Sequence, residues 1–173
     1  YLYTYSGTTI MKVDKETGLV LKTGTMAGFS SFSINSATYA EGMIFIGLAN
    51  GRVQAFNAET LESLWVYQDA LGGQPNCPIA YADGYIYTGF WNSETKQANF
   101  ACLSVTDEDA TKTNEAKLPT WTYTHNGFYW AGAYVNSDFV LVTTDDGESG
   151  YITGYGSILS LNPKTGKLID SLQ

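Results

Sequence analysis

The chain has 173 residues, of which 44% are hydrophobic and 14% aromatic, enough apolar material for one buried core within the size range of a single domain. Seventeen acidic residues against nine basic ones give a formal charge of −8, and no run of Lys or Arg occurs, so contact with a phosphate backbone would begin with an electrostatic penalty and nucleic acid is not an expected partner. No stretch approaches the roughly 18 consecutive apolar residues of a membrane span, so membrane insertion is not expected either.

The N-terminal segment Tyr1 to Ser6 reads as a strand and lacks the basic-then-apolar pattern of a signal peptide, so the chain is expected to be cut from a longer precursor. From there the sequence consists of short runs rich in Tyr, Val, Ile, Thr and Phe, punctuated by Gly, Asn and Asp, with no sustained 3.6-residue apolar stripe. This is an all-β pattern, and it repeats. The first unit has Leu2 to Tyr5, a turn at Ser6-Gly7, Ile10 to Asp14, the turn Lys15-Glu16-Thr17-Gly18 and Leu19 to Leu21. The second has a preceding run Phe32 to Thr38, a turn at Glu41-Gly42, Met43 to Gly47, the hairpin signal Asn50-Gly51, Arg52 to Asn57, a turn through Glu59-Thr60 and a strand ending at Trp65.

A third unit has Pro78 to Ala82, a turn at Asp83-Gly84, Tyr85 to Gly89, Phe100 to Val105 and a long insertion before Trp121. The fourth has Ala131 to Asn136, Phe139 to Val142, an acidic glycine-rich segment, Ser157 to Asn162, the turn Pro163-Lys164-Thr165-Gly166 and Leu168 to Asp170. Thr17 and Thr60 are 43 residues apart, and Thr60 and Thr165 are 105 apart, about two blade periods of a propeller once loop insertions are allowed. The expected architecture is a β-propeller of about four antiparallel blades, a partial ring, over approximately 1–28, 29–70, 71–125 and 126–173 of one continuous region. The first unit shows three strands and the others four.

At the turns the sequence resembles the pyrroloquinoline-quinone-like, or quinoprotein-type, propeller repeat: a small residue, a spacer, Asp or Asn, two spacers, Thr-Gly, and Trp five residues after the Thr. Ala55-Phe56-Asn57-Ala58-Glu59-Thr60 with Trp65 is nearly complete, with Leu61 in the glycine position. Asp14 to Gly18 and Asn162 to Gly166 keep the turn but have Lys22 and Asp170 where Trp would stand, and the third unit keeps Trp121 beyond its insertion. The resemblance implies a structural docking role between blades for Trp65 and Trp121, together with the turn threonines Thr17, Thr60 and Thr165. The family includes quinone-dependent alcohol dehydrogenases, a lipoprotein of the outer-membrane protein assembly machine and bacterial surface proteins, so the resemblance implies an extracellular or cell-envelope location, as a fragment of a larger bacterial protein.

Catalysis is not expected. The resemblance would call for vicinal cysteines in a quinone- and calcium-dependent dehydrogenase, which is the alternative reading, and here Cys77 and Cys102 are 25 positions apart, outside any zinc-like spacing, and read as buried free thiols, with one disulfide between them as the alternative if the chain is exported. His125 is the single histidine and has no Ser or Cys arrangement beside it. The carboxylates of Asp145, Asp146 and Glu148 and those of Asp107, Glu108 and Asp109 read as solvated loops, with calcium at the first loop as the alternative, so no metal and no cofactor are expected. What remains is a noncatalytic binding or scaffold module that presents blade loops to a protein, peptide or glycan. Trp91, Tyr129 and Trp130, with the loop Asn92 to Gln97, are the candidate ligand-binding residues, because aromatic rings stack on sugars and anchor interfaces. An open arc of four blades would also leave strand edges and apolar faces to be covered by a second copy or by further blades of the same longer chain.

Overall fold

A computed structural model describes residues 1–30, 35–93, 96–128, 130–145 and 156–173; the first part of the predicted run Phe32 to Thr38 lies outside them. The described residues are all-β, arranged in four sheets. Sheet I contains β1 (Leu2–Ser6), β2 (Thr9–Val13) and β3 (Val20–Thr25) in that spatial order. Sheet II is built on β4 (Thr38–Ala40), β5 (Met43–Leu48), β6 (Arg52–Asn57) and β7 (Ser63–Gln68), each antiparallel to its sequence neighbour. Sheet III contains β8 (Ala80–Ala82), β9 (Tyr85–Gly89), β10 (Gln97–Ser104) and, after an excursion, β12 (Trp121–Asn126). Sheet IV contains β13 (Tyr134–Val135), β14 (Val140–Thr144), β15 (Ser157–Leu161) and β16 (Leu168–Leu172). This is the meander of a partial β-propeller. The first strands of sheets III and IV are three and two residues long, shorter than the runs that predict them, and β4 shares only Thr38 with its predicted run.

The excursion holds an element that the sequence pattern does not reveal. Residues Glu115–Lys117 form β11, which leaves its own sheet and runs parallel to β7, pairing Glu115 with Trp65 and Lys117 with Tyr67. Sheet II therefore has five strands where four are expected. Lys117 is almost fully buried, and its ammonium lies 5.2 Å from the Trp65 ring centroid and bonds the Thr106 carbonyl and Glu108. Burying that charge is tolerable because a carboxylate, a carbonyl and a π-face all meet it. Glu108 and Asp109 of the predicted acidic loop thus serve this strap, Asp109 holding Lys112 at 2.6 Å.

Alternation along each strand sends one set of side chains to each neighbouring sheet. Ile10, Ile44, Ile46, Leu48, Phe56 and Leu61 fill the space between sheets I and II. Phe45, Val53, Trp65, Phe90, Ala101 and Leu103 fill the next, and Phe100, Cys102, Trp121, Phe128, Val142 and Leu161 the last. Each of the three joints also carries a hydrogen bond from an aromatic ring to a backbone carbonyl, and that acceptor always occupies the same place in the repeat. Tyr3 Oη donates to the Ala58 carbonyl (2.9 Å), Trp65 Nε1 to that of Val105 (3.4 Å) and Trp121 Nε1 to that of Pro163 (2.8 Å). Every acceptor follows the last residue of a third strand or its Asn.

The threonines sit elsewhere in this device. Thr17, Thr60 and Thr165 are exposed, and their hydroxyls accept from backbone N–H groups two residues on, inside the turn. The preceding Asp14, Asn57 and Asn162 carboxyl or amide oxygens take the backbone N–H of residues two and three ahead at 2.8–3.0 Å. The residue after the threonine is the one that meets the preceding sheet. Gly166 has φ +67, and a Cβ there would come within 2.5 Å of the Trp121 ring. Leu61 holds the same place at φ +59 and is buried against Gly24 of sheet I, filling room left by the absence of a ring at Lys22.

Two measurements check this account. Trp121→Ala is expected to lower unfolding free energy by about 3–5 kcal/mol in urea titrations. Gly18→Ala, in the same turn with φ +72 but nothing within 4 Å, is expected to cost about 1–2 kcal/mol for the backbone alone. Gly166→Ala must also displace a ring, at about 1–3 kcal/mol more; equal losses at the two glycines would refute the ring contact.

Candidate functional site

In a meander, alternate turns lie at opposite ends of a sheet. The docking turns β2–β3, β6–β7 and β15–β16 share one end. The β5–β6 turn and the β7–β8 and β9–β10 connections share the other, and there a cleft of about 310 Å³ opens, lined by Phe29, Ala49, Asn50, Gly73, Gln74, Trp91 and Asn92. Phe29 is 57% exposed, set after β3 by the Ala27 N–H bond to Gln54 Oε1 and the Ala49 N–H bond to its own carbonyl. Asn50 takes φ +63 in its Asn-Gly turn. Gly51 and Gly73 allow the backbones to meet, since a Cβ on Gly51 would fall 2.6 Å from Gly72 and one on Gly73 3.0 Å from Phe90.

Trp91 and Gln74 are held by a reciprocal pair of backbone bonds, 2.8 and 3.1 Å. The Trp91 indole edge lies against Gly127, and its Nε1 donates to Asp145 Oδ2 at 3.2 Å, which ties the cleft to the end of β14. Asn92 Nδ2 bonds the Gln97 carbonyl at 2.8 Å, bracing the loop. The carboxamides of Asn50 and Gln74 have no hydrogen-bond partner among the described residues, and no lining residue is charged. Behind the cleft, Asp69 is buried and satisfied by donors alone: the Tyr67 hydroxyl (2.6 Å), Asn99 Nδ2 and the Leu71 N–H. Thr124 in turn donates to Asn99 Oδ1 at 2.6 Å, so the network locks sheet II to sheet III under the cleft floor. Burial, and then the bond to Asp69, raise the Tyr67 pKa above its ordinary value.

Of the predicted ligand-binding residues, Trp91 and the loop residue Asn92 reach this cleft. Trp130 does not line it; it is 56% exposed at φ +71, with its N–H on the Asn76 carbonyl. Tyr129, residues 94 and 95 of the predicted loop, and Asp146 to Gly150 lie outside the described residues. The sequence pattern did not single out Phe29, Asn50 or Gln74. A lone aromatic in the polar connection after β3 and a φ-positive Asn-Gly turn were the available signals, but their convergence is a tertiary fact. A second cleft, about 380 Å³, opens at the opposite end between sheets III and IV; it shares Tyr87 and Pro163 with the Trp121 joint and has Asp83 and Lys164 at its rim.

The groups that could do covalent chemistry are set into packing. Cys77 and Cys102 are both free and buried, and burial pushes each thiol up to about 12, so neither offers a thiolate at neutral pH. His125 stacks on Tyr123 with ring centroids 6.2 Å apart, and its Nδ1 lies 3.2 Å from Thr144 Oγ1. Among the described residues no three His, Cys, Asp or Glu side chains are grouped to hold a metal.

No family model matches the chain, and no curated protein does. Solved structures do. The chain is similar over 99% of its length to BamB from Moraxella catarrhalis (TM-score 0.63, 14% identity), to a europium-containing methanol dehydrogenase (0.69, 13%) and to the quinohemoprotein alcohol dehydrogenase from Comamonas testosteroni (0.72, 15%). It spans 45%, 39% and 33% of those chains respectively. At these identities the likeness shows the fold: a partial quinoprotein-type β-propeller.

Burial lowers the His125 pKa, with the Asp145 carboxylate opposing the shift. A base whose folded pKa is depressed binds its proton more readily when unfolded, so stability is full above the unfolded value and falls as pH drops through it. The melting temperature is expected to decline below about pH 6.5, and His125→Gln to flatten that decline; an unchanged profile in the variant would remove His125 as its source.

Proposed function

We propose that the chain is a noncatalytic binding module of an exported envelope or extracellular protein, and that its ligand enters the Trp91 cleft. The observation that carries this reading is the lining: an exposed phenyl ring, two carboxamides with no partner and no charge, in a chain of net charge −8. Carboxamides both donate and accept, matching hydroxyl and amide groups of a ligand, while an aromatic face covers its C–H surface. A volume of about 310 Å³ stands at the lower end of small-molecule sites. An uncharged glycan meets all three conditions. An anionic ligand would gain no counter-charge from the lining and would approach against the chain's overall field.

The competing reading, a fragment of a quinone- and calcium-dependent dehydrogenase, draws support from the fold of two neighbours and from no residue of the cleft. Titration calorimetry with neutral trisaccharides (triacetylchitotriose, maltotriose, cellotriose) is expected to give saturable binding with at least one. Phe29→Ala and Gln74→Ala are each expected to weaken it about tenfold or more with the melting temperature unchanged. Saturable thermal stabilisation by pyrroloquinoline quinone with calcium, and none by the sugars, would overturn the proposal in favour of the dehydrogenase fragment.

A further inference from the structure

Sheet I carries a complete docking turn that no ring occupies. Asp14 Oδ1 gathers the N–H groups of Glu16 and Thr17 as Asn57 and Asn162 do in theirs, and Gly18 has φ +72 against +67 for Gly166. Yet a Cβ on Gly166 would strike Trp121, and one on Gly18 would meet nothing. The face around it is apolar and open: Leu2 is 57% exposed and Leu21 44%, and alternation from Tyr3 and Lys12 puts Met11 and Val13 on the same side.

The outer face of sheet IV is its counterpart. Ile158 (46% exposed) and Leu172 (69%) border a shallow groove with Leu141, Ser160 and Asp170. Asp170 stands five residues after Thr165, the place that Trp65 holds after Thr60. A carboxylate therefore replaces the ring that would reach the next docking turn. On sheet I the residue at the acceptor place, equivalent to Ala58, Val105 and Pro163, is Lys15. Ala58 and Val105 are each 3% exposed, packed toward the preceding sheet, so the side chain at this place points at whatever docks there. The two departures from the repeat, Lys15 and Asp170, are of opposite charge.

The chain already contains a joint of this kind. Where Lys22 stands in place of Trp, Lys12 is buried between sheets I and II and pairs with Glu59 at 2.7 Å. We propose that sheet IV of one copy docks on sheet I of a second copy, with Asp170 and Lys15 paired across the joint and Ile158 and Leu172 covered by Leu2, Met11, Val13 and Leu21. The contact is head-to-tail, so a single one leaves two faces open and two close a ring. Two copies bring eight sheets, and one copy spans 45% of the BamB chain, so a ring of two has the extent of that fold.

Light scattering of the chain from about 10 to 200 µM at physiological ionic strength is expected to reach twice the 18.9 kDa monomer mass and stop there. Lys15→Asp and Asp170→Lys, both on exposed sites, are each expected to raise the dimer dissociation constant tenfold or more. The double variant is expected to recover it, which loss of folding could not produce. Lys15→Cys with Asp170→Cys should give a disulfide-linked dimer under oxidation. A monomer at every concentration would assign both faces to other occupants, such as further blades of a longer chain. Growth beyond two copies, or single variants that associate as well as the parent, would equally overturn the proposal.

Discussion

The structure depends on how one carbonyl per sheet is satisfied. In each docking turn the Asp or Asn side chain consumes the N–H groups ahead of it, which tightens the chain and leaves the next carbonyl directed sideways, out of the sheet. A neighbouring sheet packed at about 10 Å would bury that oxygen unpaired, at a cost of about 1–3 kcal/mol. A ring with an N–H or O–H at its rim removes the cost and fills the space in one step, which is what Trp65, Trp121 and Tyr3 do for Val105, Pro163 and Ala58. Where both are present, the polar turn and the apolar ring are therefore a single device shared by two sheets.

That coupling explains the positions where the repeat departs from its pattern. In the first joint the ring is missing at Lys22 and the glycine is missing at residue 61. A leucine at positive φ is strained, but with no indole opposite, its side chain has room and completes the packing around Gly24. The hydrogen bond passes to Tyr3 from a different strand, and an ion pair from Lys12 takes over part of the joint. In the second joint the docking turn has been lost to the 105–120 excursion, of which only the Thr106 N–H bond to Ser104 Oγ survives from the turn. The excursion compensates by sending β11 back to β7, so the edge that Trp65 would expose is paired and its ring is covered by Lys117.

What the sequence reveals follows from the range of the interaction involved. Strand-turn alternation is local, and β5, β6, β9 and β15 lie where the apolar runs and turn residues put them. The place of Trp65 after its turn is set by the repeat, whereas Lys22 and Asp170 hold the same place in the first and fourth units. By contrast, β11 is three residues of ordinary composition, Glu115, Ala116 and Lys117, and nothing in them names a partner fifty residues earlier. Phe29, Asn50 and Gln74 come from three separate connections, so only the packing of sheets I, II and III brings them beside Trp91. Trp130, an exposed aromatic of the kind that attracts a binding assignment, lies apart from that cleft.

The two ends of the sheets differ in what holds them. The docking turns occupy one end, where substitution at Gly166 reaches Trp121 and substitution at Leu61 reaches Gly24. At the other end the connections are tied by backbone bonds and by the Asp69–Asn99–Thr124 network, which hold the loop bases, while the Asn50 and Gln74 carboxamides above them have no partner among the described residues. A change to the Asn50 or Gln74 side chain alters the cleft lining without touching a joint. On the proposed reading, the specificity of this chain would rest on Asn50 and Gln74, whose side chains take part in no joint.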